Sequence, residues 1–454
     1  MSHGPTDGAG PSEGTGPLEG TGGLSPRDGD AHQAIHDPYA ALRLPGFRRF
    51  VVGNVLAILG MQMQSVAVGW EIYERTGKEI HLGLVGLAQF LPVALLTLPA
   101  GQVADRFNRK RVVMAGMFSL ALCSLGLAAV SATGAHVAWV YVCLFVSGTA
   151  RAFVQPAKAS LLPQIVPREV FPNAISWNMG AFQLAATLGP AAGGLLIALF
   201  KGAVVSSRVM PNTQAAMWVY LADALAALIF MALLPAISTH ATARSSGAVS
   251  LESLLAGVTF VWRNKPILAA MTLDMFAVLL GGATMLLPVY AKDILEVGPK
   301  GLGLLRAAPA VGALATSLIL AHRRPFERAG RTLLGTVAGF GMATIVFGFS
   351  RSMWLSLAML FLTGAFDIVS VVIRHTLVQL LTPDAMRGRV SAVNSIFIGA
   401  SNELGGFESG AVAQLTTPLI SVVSGGVGTL FVVLAVAVGW PQLRRYGRLD
   451  DKSG

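Results

Sequence analysis

The stretch GQVADRFNRK, residues 101–110, concentrates charge in a chain that otherwise has little of it. It lies between two long apolar runs and carries one acid and three bases in its last six positions. Charged residues make up only 12% of the 454 residues and hydrophobic residues 54%, whereas soluble domains carry about 25% charged residues. This composition predicts an integral membrane protein, in which residues 101–110 form a loop between two spans.

The apolar runs that begin at Phe50 are each close to the roughly 20 residues that a helix needs to cross a bilayer. The alternation typical of a membrane β-barrel is absent, so the runs are predicted to be helices, which satisfy their backbone hydrogen bonds internally. Twelve spans are predicted, at residues 50–73, 81–104, 111–131, 137–156, 173–200, 215–236, 267–291, 301–322, 331–349, 354–378, 390–413 and 417–440. The predicted organisation is a disordered tail (1–38), a first six-helix half (39–236), a linker (237–266), a second six-helix half (267–440) and a second tail (441–454).

The distribution of Lys and Arg predicts the orientation of the spans. Counted near the membrane, 21 bases, Lys158 among them, fall at the termini and in the even-numbered loops, against seven in the odd-numbered loops. This bias predicts that both termini are cytoplasmic. The bases lie in short separate loops and form no continuous basic face, so the net charge of +10 does not indicate binding to nucleic acid.

An internal repeat relates the two halves of the chain. A shift of 216 positions places Asn178 on Asn394, Gly189 on Gly405 and Gly194 on Gly410. The register carries spans 4 and 5 onto spans 10 and 11. Two halves related by a pseudo-twofold axis along the membrane normal are found in many secondary transporters, with the binding site near the midplane.

The opening stretch resembles the signature G-x-x-x-D-R-x-G-R-[RK] of the major facilitator superfamily and departs from it at Asn108. Because Asn tolerates left-handed backbone better than most residues, we expect the turn to survive this change. GPAAGG at 189–194 resembles the end of the superfamily's antiporter-associated motif. Residues 149–174 and 381–394 resemble the exporter-like branch that includes enterobactin exporters and transmembrane secretion effectors.

This resemblance implies the major facilitator fold in a bacterial inner membrane, with spans 1, 4, 7 and 10 around a central cavity. It also implies a cytoplasmic latch made of Gly101, Asp105, Arg106 and Arg109. The bases of this loop also set the membrane topology, and a purely topological role stays open. The small residues of span 5 are expected to allow close helix approach. They are Gly189, Pro190, Gly193 and Gly194.

Ionisable residues inside spans are functional candidates because charge is costly in the bilayer. The repeat places Arg151 opposite Asp367, which predicts a gate pair that closes the cytoplasmic side. A carboxylate in a low-dielectric site binds a proton more readily, so the predicted proton carriers are Glu403, Asp367 and Asp274. The predicted cavity lining comprises Gln62, Gln64, Arg374, Arg306 and Glu408.

Simpler roles compete for three of these residues. Arg151 is also explained as an anchor beneath the latch, Arg374 as a snorkelling side chain, and Glu403 as a permanently neutral hydrogen-bond donor. Asp223 is a further charge inside span 6, to which the sequence assigns no specific role.

The sequence therefore predicts a monomeric, proton-coupled exporter of a small organic molecule, siderophore-like or drug-like, embedded in membrane lipids. No GxxxxGK[ST] loop for ATP occurs, and no cofactor or metal ion is expected. Transport of a lysophospholipid or another lipid-like molecule is the alternative. A membrane enzyme or sensor is disfavoured because no span contains HExxH or GxSG and no tail is suited to a folded domain.

Overall fold

The computed structural model describes residues 37–201, 204–205, 208–209, 212–239, 251–322 and 326–447. The predicted tail at residues 1–38 lies almost entirely outside these ranges. The helices of the first half are α1 (Pro45–Thr76), α2 (Ile80–Arg106), α3 (Arg109–Thr133), α4 (Ala138–Ile165), α5 (Phe171–Phe200) and α6 (Ala216–Leu233). They are followed by α7 (Leu251–Arg263), α8 (Lys265–Leu280), α9 (Leu287–Val289), α10 (Gly298–Ala321), α11 (Ala329–Phe349), α12 (Met353–Leu381), α13 (Asp384–Leu415), α14 (Pro418–Gly439) and α15 (Pro441–Arg445).

The remaining elements are short connections. Three 3-10 turns span Arg168–Val170, Asn212–Ala215 and Ala283–Leu286, and a π-helical turn spans Tyr290–Ile294. Strands β1 (Val204–Val205) and β2 (Arg208–Val209) form an antiparallel pair between α5 and α6.

The all-α membrane fold predicted from the sequence is confirmed, and helices occupy all twelve predicted spans. Within the described residues, eleven helical segments are long and apolar enough to cross a bilayer. The exception is α13, which has 32 residues but carries Asn394, Asn402 and Glu403 in its central part. These polar residues are therefore the reason why α13 is less apolar than the other spans.

Observed helix ends differ from the predicted ones by several residues in most spans, and two of the differences bear on the site. The fourth span was predicted to end at residue 156, but α4 continues through Pro156 and Pro163 to Ile165 and so includes Lys158. The seventh span is interrupted, since α8 ends before the Gly281–Gly282 pair and the chain continues through 3-10, α and π turns to Ile294.

The helices pack as two halves with two seams between them. In the first half α1 packs on α5 and α6, α2 on α4, and α3 on α4 and α6; in the second, α10 packs on α12, α11 on α12 and α14, and α13 on α8 and α14. The seams between the halves are α2 against α13 and α5 against α10. We call the end of the bundle where α1 begins the near end, and the end where α1 finishes the far end.

Glycines bring the helices together at both seams. A Cβ atom added to Gly194 on α5 would lie 2.8 Å from the Cα of Gly303 on α10. One added to Gly83 on α2 would lie 2.8 Å from the Cα of Phe407 on α13. Larger residues at these positions would push the halves apart, so the far part of the bundle depends on backbone-to-backbone packing.

Polar contacts also join the halves at the far end. The Tyr73 hydroxyl at the end of α1 donates to Asp293 in the π turn of the other half. The Lys292 ammonium lies 5.4 Å from the centroid of the Tyr73 ring. Next to this contact, but within the first half, Tyr220 donates to Glu71 at 2.8 Å, and Arg75 forms a salt bridge with the same carboxylate at 3.0 Å. The far end is closed in this conformation.

Residues 101–110 were predicted to form a loop, but 101–106 complete α2 and Arg109 begins α3, so only Phe107 and Asn108 connect the two helices. This connection is fixed by Asn108 and by the bases that follow it. Asn108 has extended backbone, with φ −64° and ψ 112°, and its side chain accepts hydrogen bonds from the amides of Lys110 and Arg111. The expectation of a left-handed residue here was wrong, because Asn108 acts as the N-cap of α3. Arg109 donates to the carbonyl of Ser160 on α4 at 3.3 Å.

Lys110 extends this network to the end of α6. Its ammonium donates to the carbonyls of Pro235 and Ile237, at 2.8 and 2.9 Å. These bases therefore attach the loop to its own half. The side chain of Asp105 lies outside the described residues, so the latch stays a prediction.

Candidate functional site

A cavity of about 850 Å³ lies between the halves and extends from mid-bundle toward the near end. Its volume is in the range of sites for drug-sized ligands. The first half provides most of its wall, through α1, α3, α4, α5 and α6, and the second half contributes positions on α10 and α12. The lining residues used below are Asn54, Met61, Gln64, Ser124, Arg151, Lys158, Asn178, Met179, Phe182, Asp223, Leu314, Ser317, Ile368 and Val371.

A buried carboxylate forms part of the deep end of the cavity. Asp223 on α6 is 8% exposed, and its Oδ2 accepts hydrogen bonds from Ser124 Oγ at 2.6 Å and Gln64 Nε2 at 3.0 Å. Gln64 Nε2 also lies 2.9 Å from Ser124 Oγ. Since α1, α3 and α6 each supply one group, the cluster depends on the packing of these three helices.

Arg151 on α4 lies beside this cluster. Its guanidinium donates to Gln89 Oε1 at 2.5 Å and to Gln64 Oε1 at 3.4 Å. The charges of Asp223 in the first half and Glu403 in the second both act on it. Arg151 therefore links the cavity to the seam between α2 and α13.

Glu403 lies at that seam, between arginines of the two halves. The charges of Arg151 and Arg306 both act on its carboxylate. A Cβ atom added to Gly86 on α2 would lie 2.5 Å from Glu403 Oε2, so glycine makes room for the acid. This oxygen is buried and has no hydrogen-bond partner among the described residues. Arg306 itself donates to the carbonyl of Ser65 at 3.4 Å.

A second basic group lies nearer the opening of the cavity. Lys158 Nζ donates to Asn54 Oδ1 at 2.9 Å, and Asn54 Nδ2 donates to Asn178 Oδ1 at 3.1 Å. Lys158 is seven residues after Arg151, about 10 Å along the helix axis at about 1.5 Å per residue.

The comparisons with known proteins agree with this architecture. A model of the transmembrane secretion effector family matches residues 36–445. The chain belongs to this family, within the major facilitator superfamily. It is therefore a multi-pass membrane transporter.

Curated relatives of the transporter are exporters by name. The enterobactin exporter EntS of Escherichia coli O1:K1 / APEC is 27% identical over 414 residues, which cover 88% of this chain and 93% of the relative. The enterobactin exporter of Shigella boydii serotype 18 (strain CDC 3083-94 / BS512) has the same identity and coverage.

Solved structures share the fold. A bacterial homolog of the human lysosomal transporter Spinster, in an inward-facing and occupied conformation, superposes with a TM-score of 0.68 at 14% identity and covers 90% of this chain and 99% of its own. A POT family transporter in complex with 5-aminolevulinic acid also gives 0.68, at 10% identity, and covers 88% and 96%.

Of the residues predicted to line the cavity of the transporter, only Gln64 does so. Gln62 instead packs against α5, where a Cβ atom added to Gly189 would lie 2.5 Å from its Cβ. Arg306 lies by Glu403, and Glu408 accepts a hydrogen bond from Ser409 at 3.5 Å. These corrections have one cause, since depth in a span does not say which face of the helix a residue occupies.

A salt bridge between Arg374 and Asp274 joins α12 to α8 inside the second half. Arg374 is 3% exposed, so it neither lines the cavity nor snorkels to the membrane surface. Asp274, which was predicted to be a proton carrier, is thus paired with the guanidinium of Arg374. Asp367 lies near Asp274, with which it lines a very small separate cavity.

The structure does not bring Arg151 and Asp367 together. In this conformation Arg151 bonds to glutamines of its own half, and Asp367 faces the small cavity by Asp274. The pairing was predicted for the conformation closed at the near end and stays a prediction for that state.

Sequence reasoning gave no role to two charged residues that line the cavity. Asp223 was identified as a membrane charge but not as a site residue, and Lys158 was counted with the loop bases. The available signal for Lys158 was its spacing of seven from Arg151, which places both on one face of a helix. No cluster of three or more His, Cys, Asp or Glu suited to a metal ion occurs in the described residues.

Proposed function

We propose that the protein is a proton-coupled secondary transporter that exports a small organic molecule, siderophore-like or drug-like, by alternating access. The observation that carries this proposal is the position of Glu403, at the seam between the halves and between Arg151 and Arg306. A movement of the halves would change the distance of the carboxylate from Arg151 of the first half, whereas Arg306 belongs to the same half as Glu403. Its affinity for a proton would then differ between the two states, as coupling requires.

The shape of the cavity supports alternating access. The far end is closed by two glycine seams and by the contact of Tyr73 with Asp293, while the cavity extends toward the near end. The excess of Lys and Arg near the membrane at the near end supports a cytoplasmic location for both termini. The structure then corresponds to the inward-facing state of a bacterial inner-membrane protein, working as a monomer among lipids.

Export is supported by the relatives, which are enterobactin exporters by name. They favour a siderophore-like or drug-like substrate over the lipid-like alternative. A panel of candidate compounds, tested for efflux from cells with and without the chain and with and without a protonophore, identifies the substrate and tests the driving force.

With that substrate, Glu403→Gln tests coupling in proteoliposomes. The Gln side chain keeps the shape but releases no proton, so the variant should still exchange substrate across the membrane yet fail to concentrate it in a pH gradient. Glu408→Gln is the matched control, because Glu408 is on the same helix and bonds to Ser409 outside the cavity.

Substrate accumulation by Glu403→Gln at the wild-type level would overturn this assignment. The carrier would then be sought among Asp223, Asp367 and Asp274. Accumulation that is insensitive to the pH gradient in the wild type would overturn proton coupling itself.

A further inference from the structure

The charges around the large cavity are unevenly distributed between its two walls. The first half supplies Arg151, Lys158 and Asp223, whereas the second half supplies Leu314, Ser317, Ile368 and Val371. A ligand in this cavity therefore meets charged groups, set among apolar residues, on one side only, and a largely apolar wall on the other.

The charge of Arg151 is offset by nearby acids, without a direct salt bridge among the described residues. Asp223 and Glu403 both act on this guanidinium, and Gln89 and Gln64 accept its hydrogen bonds. The oxygen Oδ2 of Asp223 is in turn engaged by Ser124 and Gln64. Oδ2 of Asp223 is thus satisfied within the protein, while Nε of Arg151 is buried without a hydrogen-bond partner among the described residues.

Lys158 differs from Arg151 in the partners of its charged group. The contact recorded for its ammonium is a neutral amide oxygen, Asn54 Oδ1. Neither salt bridge found among the described residues includes Arg151 or Lys158, but acids act on the charge of Arg151 and none acts on that of Lys158. Ammonium groups removed from water are normally paired with an acid or bonded to several acceptors, so this group lacks an anionic partner from the protein.

The surroundings of Lys158 suit an anionic group. The amides of Asn54 and Asn178 lie beside it and can donate to an oxyanion. Met61, Met179 and Phe182 line the same cavity and can contact an apolar body.

We propose that Lys158 is the binding residue for the negative charge of the transported molecule, which is an amphipathic organic anion. Its acidic group replaces Asn54 Oδ1 as the partner of the ammonium, and its apolar part lies against the wall formed by α10 and α12. This inference rests on the proposed transport function and adds the class of substrate.

Two probes that differ only in charge test the proposal. 1-Anilinonaphthalene-8-sulfonate has the ring system of N-phenyl-1-naphthylamine plus a sulfonate. Binding of each to the full chain in lipid nanodiscs is measured by fluorescence, with empty nanodiscs subtracted. The wild type should bind the sulfonate at least tenfold more tightly than the neutral probe.

The variants assign this preference to one residue. Lys158→Gln should weaken sulfonate binding at least tenfold and leave binding of the neutral probe within twofold, whereas Lys158→Arg should retain the preference. Lys265→Gln, which changes an exposed lysine at the start of α8, should alter neither affinity.

Three results would overturn the proposal: equal binding of both probes by the wild type, no effect of Lys158→Gln, or an equal loss of both probes in that variant. Efflux separates this inference from the proposed function. Efflux of both probes alike would preserve transport and refute the charge preference, whereas charge-selective binding without any efflux would refute transport.

Discussion

Asp274 on α8 and Arg374 on α12 are two buried groups of opposite charge. Both lie inside spans, and the structure joins them within the second half. Removing one member of a buried pair leaves the other charge unpaired and costs about 3–5 kcal/mol.

Asp274→Asn should therefore lower the thermal unfolding temperature of the detergent-purified protein clearly. The double variant Asp274→Leu with Arg374→Met should restore much of the loss, because apolar replacement of both partners leaves no buried charge. An unfolding temperature equal to that of the wild type in the single variant would show that the pair contributes little to stability.

At the residue level, the sequence identified most of the buried charges but not their partners. Composition and depth in a span selected Arg151, Asp274, Arg374 and Glu403. Which helix face each occupies depends on tertiary packing, so the partner of Arg374 could not be derived. Lys158 was misassigned for another reason, because the span containing it was ended nine residues early, at 156 instead of 165.

At the level of elements, hydrophobic length and the repeat predicted the spans well. They failed where helix continuity is decided by packing, as in α4, which continues through two prolines. The helix α13 is the reverse case. It was predicted as a span from its apolar run, although its apolar character is weaker than that of the other spans. The glycines of span 5 predicted close helix approach, but the sequence did not show which helix each glycine packs against.

The seam between α5 and α10 offers a direct test of closure. Gly194→Leu places a side chain where even a Cβ would lie 2.8 Å from the Cα of Gly303, so the far end should open. Spin labels at the exposed positions Lys78 and Arg351, in a chain without its two cysteines, should report a longer distance across the far end.

Gly335→Leu is the control for this experiment. Gly335 is exposed on α11, and a Cβ atom there would meet nothing within 4 Å. An unchanged distance in Gly194→Leu would mean that the seam tolerates a large residue and does not determine closure.

The equilibrium between states belongs to the whole molecule, and one tyrosine is placed to affect it. The Tyr73 hydroxyl bonds to Asp293 of the other half in the state closed at the far end. Tyr73→Phe removes this bond, which typically contributes about 0.5–1.5 kcal/mol, so the open fraction at the far end should rise by about two- to tenfold.

The same pair of spin labels measures this shift. Tyr141→Phe is the matched control, because Tyr141 bonds to His81 within the first half and should leave the populations unchanged. Equal shifts in both variants would refute a specific role for the contact between the halves.

The salt bridge between Asp274 and Arg374 also has a consequence for how the chain is made. The two residues are 100 positions apart, since 374 minus 274 is 100, so at about 5–20 residues per second the ribosome adds the arginine about 5–20 s after the aspartate. During that interval the nascent α8 holds an acid whose place inside a span costs about 2.5–3.5 kcal/mol when it is charged. The acid on this helix therefore meets its buried partner only after α12 has been made, and slower translation between the two helices lengthens the interval in which Asp274 is without Arg374.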